Sequence, residues 1–225
     1  MKGERTIGVI LSGSGFLDGA EIQESVLTLL ALDESGVRVR VFAPDTELDE
    51  IDHVTRQPTG RKRNVLVEAA RIARSRIENV ANVRGTDVDG WVLPGGYGAA
   101  KNLSDFAVKG ADATAHPEVA RVIREALDGN VPVGAICIAP AVLAAATKDE
   151  GPRLQLTIGD DAATADALRA MGARHVDAPV TDAVVDPEHR VVTAPAYMYD
   201  DARISDVNKG IRKVVQQVVA WASES

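Results

Sequence analysis

Short β-branched runs alternate with longer stretches of helical period along this chain. Residues 6–11, Thr-Ile-Gly-Val-Ile-Leu, are apolar without alternation, as a strand covered on both faces would be. A Gly-rich turn, Ser12-Gly-Ser-Gly15, follows. Residues 20–34 then carry Ile22, Val26, Leu29, Leu30 and Leu32 at helical spacing. Residues 37–42 are the next strand, and the polar residues 45–63 read as a loop with room for a β excursion. Residues 64–77 form a helix on the stripe Val65, Leu66, Ala69, Ile72 and Ala73. A strand at 89–93 runs into Pro94-Gly-Gly-Tyr-Gly98.

The second half repeats the alternation. A helix at 117–127 precedes a strand at 131–136 and a helix at 137–147, whose Pro140 fits only in a first turn. A strand at 154–158 leads to a helix at 161–171 that Gly172 ends. Residues 184–186 and 191–194 pair around a Pro-Glu-His turn, and 204–221 is an amphipathic helix through Val207, Ile211, Val214, Val218 and Trp221. This order predicts an α/β fold in one domain over residues 1–225, with a mostly parallel sheet and helices on both faces. In such sheets a ligand site forms at the carboxyl ends of the strands.

Charge and cysteine content narrow the chemistry. A net charge of −8 argues against nucleic acid or an anionic membrane surface as partner. The single cysteine excludes an intrachain disulfide and an all-cysteine metal site, and it suits a reducing, cytoplasmic setting. The start of the chain lacks the pattern of a signal peptide, and no apolar run reaches the length of a membrane span. His53, His116, His175 and His189 have no metal-ligand spacing to one another or to the cysteine. The Arg56, Arg61, Lys62, Arg63 cluster reads as a solvated loop.

That cysteine, Cys137, stands where an apolar strand stops and a helical run starts, in Ala135-Ile-Cys-Ile-Ala-Pro140. Strand-to-helix turns of this kind carry catalytic nucleophiles, and a helix N-terminus lowers a thiol pKa. A buried cysteine packing as a small apolar residue is the plainer alternative. The Pro-Gly-Gly-Tyr-Gly turn brings backbone N–H groups to the same sheet edge, where they can hold an oxyanion; a tight turn without a ligand is again the plainer reading. Glu24, one turn after Glu21, can be a surface carboxylate that complements the helix dipole. If its helix start faces the cysteine, it can instead be a protonated carboxyl beside the thiol, serving as general acid and base.

These residues resemble a known group. Gly19-Ala-Glu-Ile-Gln-Glu24, Leu93-Pro-Gly-Gly96 with Lys101-Asn-Leu-Ser-Asp-Phe106, and Ala135-Ile-Cys-Ile-Ala-Pro140 look like the ThiJ/PfpI superfamily, with its class I glutamine amidotransferase-like fold. Asp18-Gly-Ala-Glu-Ile, the stretch from Arg63 to Arg74, Thr157-Ile-Gly-Asp160 and Val192-Thr-Ala-Pro-Ala-Tyr-Met198 look like its ElbB branch, the glyoxalase-like proteins associated with isoprenoid biosynthesis. The resemblance implies a flavodoxin-like three-layer sandwich, a homodimer, and Cys137 as the elbow nucleophile. It implies that Glu24 hydrogen-bonds that cysteine and that Gly96 and Ile138 supply the oxyanion N–H groups. It further implies a glyoxalase III-type hydro-lyase that converts a small dicarbonyl, glyoxal, to glycolate with no cofactor.

Three departures qualify that picture. The superfamily's triad histidine, about twenty residues beyond the cysteine, is absent from Leu156-Thr-Ile-Gly-Asp160, so turnover should be slow; His175 is the remaining candidate base. Ser14 replaces a second cysteine common in the branch. The glutaminase elbow Gly-x-Cys-x-Gly is missing, because residue 139 is Ala, and no late His-x-Glu follows the cysteine. The competing reading is a non-enzymatic redox sensor or interaction protein with an oxidisable elbow thiol.

Overall fold

The computed structural model describes residues 4–149 and 151–224. In chain order the elements are β1 (Thr6–Ile10), α1 (Ile22–Glu34), β2 (Arg38–Ala43), β3 (Glu47–Asp52), β4 (Gln57–Asn64), α2 (Val65–Ile72), β5 (Glu78–Asn79) and β6 (Gly90–Leu93). Then follow α3 (Tyr97–Lys101), α4 (Phe106–Lys109), α5 (Pro117–Asp128), β7 (Val133–Ile136), α6 (Pro140–Thr147) and β8 (Gln155–Leu156). The chain closes with α7 (Ala162–Ala170), β9 (Arg174–His175), β10 (Val184–Asp186), β11 (Val191–Ala194) and α8 (Ile204–Glu224).

Seven strands form the central sheet in the order β10-β11-β7-β6-β1-β2-β5, with only the β10–β11 pair antiparallel. Side chains alternate across it. Ile7 and Val9 of β1 pack toward α1 and α8, together with Val207, Ile211 and Val214. Ile10 and Trp91 pack on the other face, toward α5 and α6, with Val119, Ile123 and Leu143. Because both faces are covered, the inner strands read as continuous apolar runs. The result is the flavodoxin-like three-layer sandwich expected from the sequence. Strand order reverses between β1 and β6, and the crevice above their carboxyl ends is the natural ligand position.

Several boundaries differ from the sequence reading. The polar residues 45–63 form the β3–β4 hairpin, which stands apart from the main sheet. Helix α2 stops at Ile72, because Arg74 and Ser75 take positive φ and turn the chain. The strand expected at 154–158 shrinks to Gln155–Leu156, which pairs with β9 outside the main sheet. Helices α3 and α4 were not expected; both are short and follow the glycine turn after β6. Among the described residues, no helix is long and apolar enough to cross a membrane.

Candidate active site

Cys137 follows β7 directly, at the point where the backbone reverses. Its φ of +61° lies in the left-handed region, which a residue with a Cβ rarely adopts. Its N–H donates to the Ala194 carbonyl at 2.9 Å, which ties the elbow to the end of β11. Helix α6 starts at Pro140, three residues later than the sequence suggested, because residues 137–139 are spent on the turn.

Glu24 comes from the first turn of α1 and is fully buried. Its Oε2 accepts the Gly95 N–H at 2.9 Å and its Oε1 accepts the Tyr197 N–H at 3.1 Å. The same carboxyl hydrogen-bonds the Cys137 sulfur. Burial pushes its pKa up to about 8, and the nearby charge of Glu21 adds to that; the two backbone donors and the thiol pull the other way. At neutral pH the carboxyl is therefore protonated, and its contact with Cys137 runs from the thiol S–H to a carboxyl oxygen, which favours the thiol over the thiolate.

The thiol does not follow the expectation of a lowered pKa. Burial pushes Cys137 well above its ordinary range, and the adjacent Glu24 adds to the effect. The N–H groups of Gly96 and Ile138 both hydrogen-bond the sulfur and favour the thiolate, but burial outweighs them. The donors implied for an oxyanion thus converge on the sulfur itself.

Two glycines make this convergence possible. A Cβ on Gly95 would lie 2.4 Å from the Cys137 Cβ and 2.9 Å from the Glu24 Oε2. Gly96 has a φ of +92°, and a Cβ there would meet the Glu21 nitrogen at 2.4 Å. The exits of β1, β6 and β7 therefore close on one another with no room for side chains.

A cavity of about 420 Å³ opens over the sulfur, with Gly96, Cys137 and Ile138 in its lining. Glu24 does not line it, but Glu21 does. Glu21 caps α1: its carboxylate accepts the Glu24 N–H at 2.6 Å, and burial raises its pKa. The sequence marks Glu21 only as the carboxylate one turn before Glu24. Its place three positions ahead of a buried carboxyl, at a helix start beside Gly19, was the available signal.

No histidine lines the cavity. His175 is buried elsewhere, where its Nε2 accepts the Ile158 N–H at 3.2 Å and braces the 157–160 turn. In that turn the Thr157 hydroxyl accepts the Gly159 N–H, and Asp160 lies against the Tyr199 hydroxyl. Among the described residues no group of His, Cys, Asp or Glu could hold a metal ion.

The basic cluster also needs correction at one position. Arg63 is not merely solvated: its guanidinium bonds Asp18 Oδ2 at 2.6 Å and Glu68 Oε2 at 2.7 Å. Asp18 is 1 % exposed and also accepts the Ile51 N–H. This clamp fixes the β3–β4 hairpin against the loop that leads into Glu21.

The profile of the DJ-1/PfpI family matches residues 15–199. A human protein named glutamine amidotransferase-like class 1 domain-containing protein 3, mitochondrial, is 40% identical over 95% of this chain and 82% of its own. The zebrafish (Danio rerio) ES1 protein, mitochondrial, is 28% identical over 99% of this chain and 88% of its own. The crystal structure of an isoprenoid biosynthesis protein with an amidotransferase-like domain from Ehrlichia chaffeensis superposes with a TM-score of 0.90. That protein is 37% identical, over 96% of this chain and 99% of its own. Drosophila melanogaster DJ-1beta, at 18% identity and a TM-score of 0.56 over 99% of this chain and 97% of its own, shares the fold.

Proposed function

The chain belongs to the DJ-1/PfpI family, and on that premise we propose that it is a cofactor-independent, glyoxalase III-type enzyme acting on a small dicarbonyl through Cys137. The observation that carries the reading is the convergence on one sulfur of a protonated carboxyl and two backbone N–H donors, at the floor of a cavity. In the proposed reaction the sulfur adds to one aldehyde carbon of glyoxal, and the thiol proton passes through Glu24. The oxygen of the adduct takes the Gly96 and Ile138 N–H groups as its oxyanion donors.

Next, the proton on the carbon bonded to sulfur moves to the second carbon through an enediol. Glu24 reaches only the sulfur side, so we assign this transfer to Glu21, the carboxylate that lines the cavity. The product is a hydroxyacetyl thioester, which water cleaves to glycolate and free thiol. One carbon is oxidised from aldehyde to acid and the other is reduced from aldehyde to alcohol, so no external oxidant enters. Two carboxyls without a histidine make a weak base system, and turnover is expected to be slow.

Two neighbouring readings fit the site less well. An amidotransferase is suggested by the relatives' names, but this elbow carries Ala135 and Ala139 two positions either side of the cysteine, and no histidine lines the cavity. A redox sensor needs an exposed, thiolate-like cysteine, whereas Cys137 is buried and held as a thiol. The homodimer remains part of the proposal, because Ile22, Val26 and Leu30 stand exposed on one face of α1, at 47%, 50% and 45%. The relatives are named mitochondrial. We therefore extend the cytoplasmic expectation to any reducing compartment, which the single thiol suits.

The test is glycolate formation from glyoxal by the intact protein and by Cys137→Ser. Slow formation that falls to background in the variant is expected. No glycolate from the wild type, or equal rates in the two proteins, would overturn the assignment.

A further inference from the structure

The charge and ring inventory of the cavity over Cys137 points to a class of substrate. Among the described residues its charged lining is Glu21, Asp161 and Asp200, with no Lys, Arg or His. Two of the chain's three Phe and two of its three Tyr line the same space: Phe16, Phe106, Tyr97 and Tyr197. Asp161, Asp200, Phe16 and Tyr97 are exposed and form the mouth, while Cys137 is buried and forms the floor. Asp161 is held as a carboxylate by the Thr164 side chain and backbone N–H, which lower its pKa. Carboxylates beside aromatic faces attract a cation twice, through charge and through the ring quadrupole.

The protein's own cations do not neutralise this mouth from within. Lys101 Nζ donates to the Leu17 carbonyl at 3.0 Å and sits 5.3 Å from the Tyr97 ring centre. The Arg56 guanidinium lies 6.0 Å from the Phe16 ring centre, and His53 is turned to the Leu17 N–H. None of the three lines the cavity. The outer rings Phe16 and Tyr97 already receive cations, while among the described residues no cation stacks on Phe106 or Tyr197.

We propose that the site selects cationic over anionic substrates: a small carbonyl compound bearing an ammonium group, whose charge rests among Glu21, Asp161 and Asp200 while its carbonyl carbon meets the Cys137 sulfur. The inference rests on Cys137 as the nucleophile but not on glyoxal as the substrate. A carboxylate-bearing aldehyde is repelled by the same residues, and neutral glyoxal is accepted without using them.

The experiment measures the modification rate of Cys137 by two methanethiosulfonates of matched size. One carries a trimethylammonium group and the other a sulfonate, and each rate is divided by that of the same reagent with free mercaptoethanol. A normalised preference of about tenfold for the cationic reagent at low salt is expected, shrinking as ionic strength rises. In Asp161→Asn/Asp200→Asn the cationic rate should fall and the anionic rate should rise. Asn keeps the α7 cap that Asp161 provides to the Thr164 N–H, and opposite movement of the two rates is not a result that misfolding gives. A normalised ratio at or below one, or equal slowing of both reagents in the variant, overturns the proposal. Modification by neither reagent overturns both it and the nucleophile assignment. Charge preference without glycolate formation retains this inference while removing glyoxal as the substrate.

Discussion

Glu24→Gln isolates the cost of keeping a carboxyl where this fold puts it. Glu24 is fully buried, and its pKa stands at about 8 instead of 4.5. Between those values the native protein holds one proton that the unfolded chain has released. Stability from this group is therefore complete below 4.5 and is lost as pH rises to about 8. At about 1.4 kcal/mol per pH unit, the whole interval amounts to something on the order of 5 kcal/mol. That is a large share of a domain stability of about 5–15 kcal/mol. Gln is neutral at every pH, so the slope vanishes in the variant. A constant cost of about 1–3 kcal/mol replaces it, because an amide cannot accept both the Gly95 and Tyr197 N–H groups. Urea unfolding of both proteins at pH 5, 6.5 and 8 reads the difference. Burial also lowers the pKa of His116 and His175, and they stabilise the native state as pH rises through their range; they titrate in both proteins and cancel. The wild type should lose its stability advantage over the variant by about pH 5–7 and be clearly the less stable protein at pH 8. Parallel stability curves from pH 5 to 8 would refute the protonated, buried carboxyl.

Three further outcomes follow from the site. Gly95→Ala places a Cβ 2.4 Å from the Cys137 Cβ and should destabilise the fold by about 1–3 kcal/mol, read by urea unfolding; a neutral effect would mean that the strand exits are not in contact. Iodoacetamide modification of Cys137 should be slow at pH 7 and still be rising at the alkaline end of the profile, since burial raises the pKa of the thiol; a rate already at plateau by pH 7 would show a preformed thiolate. The proposed dimer predicts that the wild type sediments as a dimer and Val26→Glu as a monomer, because Val26 is 50% exposed at the centre of the α1 stripe; a monomeric wild type or an unchanged profile overturns it.

The sequence revealed most where one physical rule dominated. Residues 7–11, 90–93 and 132–136 are buried, so their continuous apolar runs marked β1, β6 and β7 directly. The elbow was legible because an apolar strand, a cysteine and a first-turn proline stand in immediate succession. The β3–β4 hairpin was harder to see, because β4 is largely exposed and holds few apolar residues that could show a period. What fixes that hairpin is the Asp18–Arg63–Glu68 clamp, a contact across 45 positions that no local pattern reveals. The thiol's pKa was misjudged for a related reason. A helix start is visible in sequence, but the depth of burial that outweighs it arises only when the exits of β1, β6 and β7 close together.

Glu21 and Glu24 show how local structure divides two identical side chains between two tasks. Spaced three apart across a helix start, they become the cap and a first-turn residue of α1. The cap must face the Glu24 N–H, which holds the Glu21 carboxylate at the helix end and leaves it open to the cavity. Glu24, freed from capping, turns inward to the sulfur and to two backbone donors from β6 and the segment after β11. Burial keeps that inner carboxyl protonated, and the charge that starts the helix adds to the rise in its pKa. One turn of helix thus sets a protonated carboxyl beside the Cys137 sulfur and a second carboxyl beside the cavity. In the proposed reaction, that division of labour moves protons without a histidine.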